Sequence, residues 1–391
     1  MRHFGYLDRA DDDLLFHVPP QQFHHDDPRA VLETALGATL YMPGTRPTIC
    51  RDIVRNRDAG STSMVLCLED AIRDCDVPAA EANIITQLRE FADLDTEPPL
   101  LFVRVRNPEQ VVQLTKELGD SAANLAGFVL PKFTATSGPA SMAALFDACE
   151  LADRHLYAMP VLESPEVLHA EVRREALMAT RALLDQHREH VLAVRIGATD
   201  LCGLFGLRRD PELTIWDIAV VREALADIVN VFARGGSYVV TGAVWEYFSG
   251  GERIFKPQVR ESPFARADLP GAKQVRRNLL ANDLDGLLRE VVLDKATGVL
   301  GKTVIHPSHV RLVHALSVVT HEEYVDAATL CNLKAAGVGG GVTRSTYLNK
   351  MIEGKPHLLW AEQTLRRAGA FGVLAQDRTF VDLLHQEWRH T

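Results

Sequence analysis

Cysteine is scarce in this chain of 391 residues: six occur, at Cys50, Cys67, Cys75, Cys149, Cys202 and Cys331, and none forms a C-x-x-C pair. A chain of this length buries a core large enough to need no disulfide or metal staple. Cys50, Cys67 and Cys202 sit in apolar or semi-apolar runs, where cysteine acts as a small hydrophobe. This usage suits a reducing compartment. Aromatic residues are also sparse, at 7%, no long basic run occurs, and the net charge is -10. A nucleic-acid partner is therefore not expected. No run of about 18 apolar residues exists, so no membrane span is expected. The opening MRHFGYLDRADDDLLFHVPP is acidic and has no apolar h-region, so a secretory signal is not expected and a cytoplasmic location is. No G-x-G-x-x-G follows an early strand, which weakens a dinucleotide-binding open sheet.

What the chain does have is a repeated alternation. Apolar residues make up 47% and charged residues 24%, as in ordinary globular proteins. Eight short β-rich runs are bounded by turn residues: Ala38–Pro43, Ser63–Asp70, Leu100–Arg106, Gly127–Lys132, Leu156–Glu163, Val191–Gly197, Ser237–Val244 and Lys302–Pro307. Several are nearly continuous in apolar residues, as strands covered on both faces are. Helix-periodic stretches such as Pro139–Arg154, Pro165–Glu189 and Ile215–Ala233 lie between them. Eight strand–helix alternations predict an α/β fold, a closed (β/α)8 TIM barrel, over residues 36–320. A doubly wound open sheet is the alternative. Residues 1–35 read as an N-terminal extension and residues 321–391 as a C-terminal helical region. There the break Gly337-Val338-Gly339-Gly340-Gly341, followed by a helical run Lys355–Ala368, reads equally as a mobile lid or as a surface loop with a packing helix.

Barrel enzymes put their chemistry where strands end. The strand ends carry Glu69-Asp70, Arg104 and Arg106, Lys132, Glu163, His306-Pro307 and Pro43-Gly44-Thr45-Arg46, with Asp200 just past the sixth. Unpaired buried carboxylates are costly, so Glu163 and Asp200 need a metal ion or a cation such as Arg104 or Arg195. With neither cysteine nor a histidine pair beside them, the pair favours a hard cation, Mg²⁺ or Mn²⁺. Glu69 and Asp70 read as groups orienting metal-bound water, as partners of an arginine, or, for Asp70, as a helix N-cap. Arg104 reads as a carboxylate clamp or an interior ion pair. His306 reads as a hydrogen-bonded rim or floor residue. Nothing in the sequence gives Lys132 the depressed pKa of a Schiff-base lysine.

The ordered series LYMPGTRP, LCLEDAI, FVRVRN, GFVLPK, MPVLESPE, IGATDL and GKTVIHPSHV resembles the citrate lyase β-subunit and malyl-CoA lyase family, a branch of the HpcH/HpaI aldolase superfamily, over roughly residues 38 to 330. The resemblance implies a barrel holding Mg²⁺ on Glu163 and Asp200, with Arg104 gripping a substrate carboxylate and Glu69 and Asp70 near the metal waters. It places Arg46 near the phosphates of a CoA-type or other anionic portion. It implies a carbon–carbon lyase or aldolase that cleaves or forms a β-hydroxy acid or its acyl thioester through the enolate of a keto acid. The resemblance also implies a homo-oligomer, in which a C-terminal acid from a neighbouring subunit works on the reaction; Glu353 of Met351-Ile352-Glu353 is the counterpart here. Several features mark a divergent branch. Arg106 adds a rim cation that suggests a more anionic substrate, Cys67 stands where the family often has aspartate, and the loop from Glu246 to Ala272 is long. A malate-synthase-like or thioesterase activity on the same scaffold, and a non-catalytic ligand-binding barrel, are the competing readings.

Overall fold

The structure is a computed structural model that describes residues 1–94, 96–248, 271, 275, 284–338 and 340–387. Most of the long loop from Glu246 to Ala272, and Gly339 of the glycine-rich break, lie outside the described residues.

Eight parallel strands close into a barrel in chain order: β1 (Ala38–Pro43), β2 (Ser63–Cys67), β3 (Leu100–Arg104), β4 (Leu125–Leu130), β5 (Tyr157–Leu162), β6 (Val194–Ile196), β7 (Val240–Trp245) and β8 (Lys302–Val304). The ring is sealed where Ala38, Thr39 and Leu40 of β1 pair with Lys302, Thr303 and Val304 of β8. The apolar runs are continuous because helices cover the outside: every residue of β2, β4 and β5 is buried. Strand ends are shorter than the apolar runs predict. Residues such as Leu68-Glu69-Asp70 and Val105-Arg106 leave the sheet to form the loops at the C-terminal mouth. The predicted helix Pro165–Glu189 is two helices, Pro165–Leu168 and Arg173–Gln186. Likewise Ile215–Ala233 begins as a 3₁₀ turn, Ile215–Asp217, before the helix Ala219–Phe232.

The two chain ends pack together beside the barrel. Strand Phe16–Val18 pairs antiparallel with Val373–Leu374. The buried ring of His3 stacks on Phe371 and meets His314 edge-on. The C-terminal region holds helix His321–Ala335, a hairpin of Val342–Arg344 against Met351–Glu353, and helix Leu358–Phe371. The glycine-rich break therefore leads into a hairpin. Ile352 anchors that hairpin in a small core with Ala327, Leu330 and Ala361. Helix Leu358–Phe371 packs on helix Arg29–Ala35, which leads into β1, and on the turn Arg234–Gly236 before β7. It thus lies toward the N-terminal face of the barrel, opposite the mouth.

One charge cluster sits between the strands and the helix layer. Lys302 of β8 is fully buried, and its Nζ donates to Glu290 (2.6 Å) and Asp294 (2.7 Å) of helix Leu284–Ala296. Arg209 also bonds Glu290, and Trp216 Nε1 donates to Asp294 at 2.7 Å. Gly242 of β7 leaves the room: a Cβ there would come within 2.6 Å of Asp294 Oδ2. Removing one partner of such a cluster strands the others without water. Lys302→Met is expected to lower the unfolding free energy by about 3–5 kcal/mol, read by chemical denaturation. A loss below about 1 kcal/mol would show that the cluster is not fully dry.

Candidate active site at the barrel mouth

Alternation along each strand sends every second side chain inward. At the C-terminal ends this parity gathers Tyr41, Cys67, Arg104, Glu163, Arg195 and Thr303 around one cavity of about 210 Å³, joined by Asp70 and Asp200 from the loops. Glu163 lies just beyond β5 and is buried. Its Oε1 accepts from Arg104 Nη2 at 3.0 Å and from the backbone N–H of Lys132 at 3.0 Å. Lys132 reaches that position because its backbone takes a left-handed φ of 48°, an uncommon state for a non-glycine residue. Gly197, following β6, is required by proximity: a Cβ there would overlap Glu163 Oε2. Asp200 lies half-buried in the first turn of the short helix Ala198–Gly203 and, among the described residues, forms no ion pair.

The same Arg104 Nη2 reaches Glu69 Oε2 at 2.7 Å and Asp70 Oδ2 at 3.7 Å. Lys132 Nζ bonds Glu69 and lies 3.7 Å from Asp70. Three carboxylates thus converge on two cations, and a fourth, Asp200, lines the same cavity. Burial pushes the Glu163 carboxyl up to about 7, opposed by Arg104 and reinforced by the charge of Asp200. Burial also lifts Asp70 to about 6, and its hydrogen bond and charge repulsion with Glu69 add to the rise. Glu69 goes the other way: burial would raise it, but the Asp70 hydrogen bond, Arg104 and Lys132 hold it below the ordinary carboxylate range. Lys132 is raised, since its bond to Glu69 outweighs burial; that keeps it an ammonium and argues against an imine-forming role.

Excess negative charge around Glu163 and Asp200, both lining the cavity and the second without an ion pair among the described residues, fits a divalent cation. Among the described residues no group of three or more His, Cys, Asp or Glu converges as a ready-made metal cage. The pair would therefore share the ion with water and substrate oxygens, as Mg²⁺ sites often do. Arg104 lines the cavity, and its Nε is buried with no acceptor among the described residues.

A family model for C–C bond lyases of the TIM-barrel fold matches residues 30–373. The chain belongs to that family. Solved structures agree on the fold. A CitE protein from Mycobacterium tuberculosis, in complex with magnesium, acetoacetate and coenzyme A, is 20% identical with a TM-score of 0.50, over 86% of this chain and 99% of that one. A citrate lyase from Burkholderia xenovorans LB400 is 15% identical with a TM-score of 0.60, over 89% of this chain and 96% of that one. No curated protein matches.

Within this lyase the remaining candidates sit apart from the cavity charges. Arg106 turns its guanidinium onto the loop after β2, donating to the carbonyls of Leu68 (2.6 Å), Glu69 (3.3 Å) and Ile72 (3.2 Å) and to Asp74 (2.5 Å). It thereby holds in place the loop that carries Glu69 and Asp70. Arg46 is half exposed at the rim beyond β1 and pairs with Asp52. His306 caps helix Pro307–Ser317 and stacks on Phe248 with ring centroids 5.2 Å apart. Glu353 is exposed on the C-terminal hairpin, and its backbone N–H donates to His357 Nδ1 at 3.0 Å; the structure does not bring it to the mouth of its own barrel. Sequence reasoning missed the wall and floor: Tyr41, Gly197 and Arg195 as a cavity residue. The inward parity of β6 was the signal for Arg195. It is fully buried, its guanidinium hydrogen-bonds Thr39, Thr303 and Met159 and lies over the Tyr41 ring, and it has no carboxylate partner among the described residues.

Gly197 has φ -97°, which alanine adopts freely, so any effect of Gly197→Ala is steric. The methyl group is expected to displace Glu163 from Arg104 and to cost about 1–3 kcal/mol of stability, as overpacking does. Thermal and denaturant unfolding measure this; an unchanged midpoint would place Glu163 elsewhere.

Proposed function

We propose that this lyase cleaves or forms the carbon–carbon bond of a β-hydroxy acid, or of its acyl thioester, at the barrel mouth, with Mg²⁺ held by Glu163 and Asp200. One observation carries the reading: a buried carboxylate pushed up to about 7 lies beside a second carboxylate, in a cavity that Arg104 also lines. The magnesium and acetoacetate bound by the Mycobacterium tuberculosis protein of the same fold support it. Bound there, Mg²⁺ supplies Lewis-acid stabilisation of negative charge developing on a keto-acid substrate. Arg104, which lines the cavity, orients the substrate carboxylate through its guanidinium, a charge-assisted contact in a site with little water. Its Nη2 meanwhile stays tied to Glu69 and Glu163, so the guanidinium cannot rotate away. Asp70, exposed to the cavity and near neutrality in affinity for its proton, accepts the hydroxyl proton in the cleavage direction. Glu69 stays ionised and holds Lys132 beside Asp70.

Coenzyme A as the acyl carrier, with Arg46 at the rim meeting its phosphates, belongs to the same proposal. So do a cytoplasmic location, which the six free cysteines suit, and a homo-oligomer. Glu353 rides on helices that dock toward the N-terminal face, so any part it plays in the chemistry is at the mouth of another copy. No helix among the described residues is long and apolar enough to cross a membrane.

Calorimetric titration with oxaloacetate, pyruvate and glyoxylate, each with and without Mg²⁺, tests the site. Metal-dependent binding of at least one acid is expected, lost by about tenfold or more in Glu163→Gln and in Asp200→Asn, the scale of removing a metal contact. No metal-dependent binding of all three would remove the keto-acid reading. Once turnover is found, its rate in the cleavage direction should fall on the acid side, at a pH no higher than about 6 because a bound cation draws the Asp70 carboxyl down, since Asp70 then holds its proton before the substrate can give one up. That acid limb should disappear, at a much lower rate, in Asp70→Asn.

A further inference from the structure

A second cavity, of about 120 Å³, opens on the opposite face of the barrel from the mouth. Its walls are the entry to β7 and β8, with Gly236 and Leu300, and the C-terminal helix Leu358–Phe371, which contributes Gln363, Arg366 and Arg367; Lys295 closes one side. The charges here do not balance. Lys295 and Arg367 both depend on Glu323, each at 3.3 Å. Glu323 is already engaged, because its side chain accepts from the backbone N–H of Thr320 (3.1 Å) and from the Thr320 hydroxyl (3.3 Å) as the N-terminal capping box of helix His321–Ala335. Across the cavity Arg29 (2.5 Å) and Arg366 (3.9 Å) likewise share one acid, Glu33.

Arg367 is the decisive side chain. It is only 13% exposed, and among the described residues its Nε–H has no hydrogen-bond acceptor and its Nη2 has only the Glu323 carboxylate, 3.3 Å away and too poorly aligned for a good hydrogen bond. Buried guanidinium donors without acceptors are costly. The imbalance shows in the proton affinities as well. Burial, and then the Arg367 charge, hold Lys295 below the ordinary lysine range despite Glu323. Burial lowers Arg367 in the same way.

We propose that this cavity is an anion site for a compact, multiply charged oxyanion, a phosphate group, held by Lys295, Arg366 and Arg367. A monocarboxylate would answer one of the two unmatched cations, whereas a phosphate group carries close to two charges and several acceptor oxygens at neutral pH. Arginine forks suit those oxygens. Three sequence-distant elements meet at the site: helix Leu284–Ala296, helix Leu358–Phe371 and the strand entries. Bound phosphate therefore fastens the C-terminal region, with its hairpin, to the barrel. The site is separate from the mouth and does not depend on the reaction proposed there.

Thermal unfolding of the full chain at constant ionic strength tests the site, with inorganic phosphate, glycerol phosphate and chloride as probes. Inorganic phosphate is expected to raise the midpoint by about 2 °C or more over chloride at saturation, the size of shift a ligand at many times its Kd gives a chain of this length. Arg366→Gln changes a side chain that is 43% exposed, so it should fold normally. It and Arg367→Met should each reduce phosphate affinity at least fivefold by calorimetry. Tighter binding of glycerol phosphate than of inorganic phosphate assigns the ligand as a phosphate ester, and equal binding assigns the free anion. No shift beyond chloride in the wild-type chain, or the same affinity in Arg366→Gln as in the wild type, overturns the proposal.

Discussion

Closing eight parallel strands into a ring leaves an interior with little water, so each charge buried there is costly unless a counter-charge or, as for Arg195, a set of polar and aromatic partners meets it. That constraint organises the molecule. Between strands and helices it produces the Lys302–Glu290–Asp294 cluster, with Gly242 making the space. At the mouth it produces the fan of Glu69, Asp70 and Glu163 around Arg104. The two solutions differ in outcome. The first is closed, with Lys302 fully buried and bonded to both acids. The second is left incomplete, with Arg104 Nε lacking an acceptor among the described residues and the Glu163 proton affinity raised. An incomplete charge set in a cavity is the physical mark of a place that expects a ligand.

The mouth also shows how positioning is divided among residues that do no chemistry. Arg106 fixes the loop bearing Glu69 and Asp70 by four contacts to that loop. Lys132 contributes twice, with a backbone N–H to Glu163 and an ammonium to Glu69. Its strained backbone is what lets one residue reach both. Gly197 contributes by having no side chain at all. Such supports confine the reacting groups to one geometry, which is what catalysis by orientation needs.

The barrel was legible because its strands are apolar without interruption, a pattern that only a doubly covered parallel sheet makes economical. Runs such as Leu125–Leu130 and Tyr157–Leu162 are buried at every position. Element ends were less legible. Val191–Gly197 reads as one strand, but only Val194–Ile196 pairs in the ring, with Val191 held by an isolated bridge to Ala158. The break at residues 169–172 between two helices was invisible, since the apolar spacing on either side of it continues. Of the candidate residues, Glu69, Asp70, Arg104, Glu163 and Asp200 could be named together because strand ends are where a barrel gathers side chains. What Arg106 and Glu353 touch could not be read that way. The first is decided by how a neighbouring loop folds over the rim, and the second by which face of the barrel the C-terminal helices meet.

The sequence by itself determined the covered parallel strands, their number and order, and the charged residues at their ends, because period, apolar content and turn residues are local properties of the chain. Only the tertiary structure decided how those charges are matched. Whether Arg104 or Arg195 would take Glu163 was open in the sequence. The ring geometry gives Glu163 to Arg104 and leaves Arg195 among threonines beneath Tyr41. The surplus of cations around Arg367 likewise exists only because helix Leu358–Phe371 is laid against the strand entries. Charge pairing depends on distances of a few ångströms between segments far apart in the chain, and no local pattern encodes those distances.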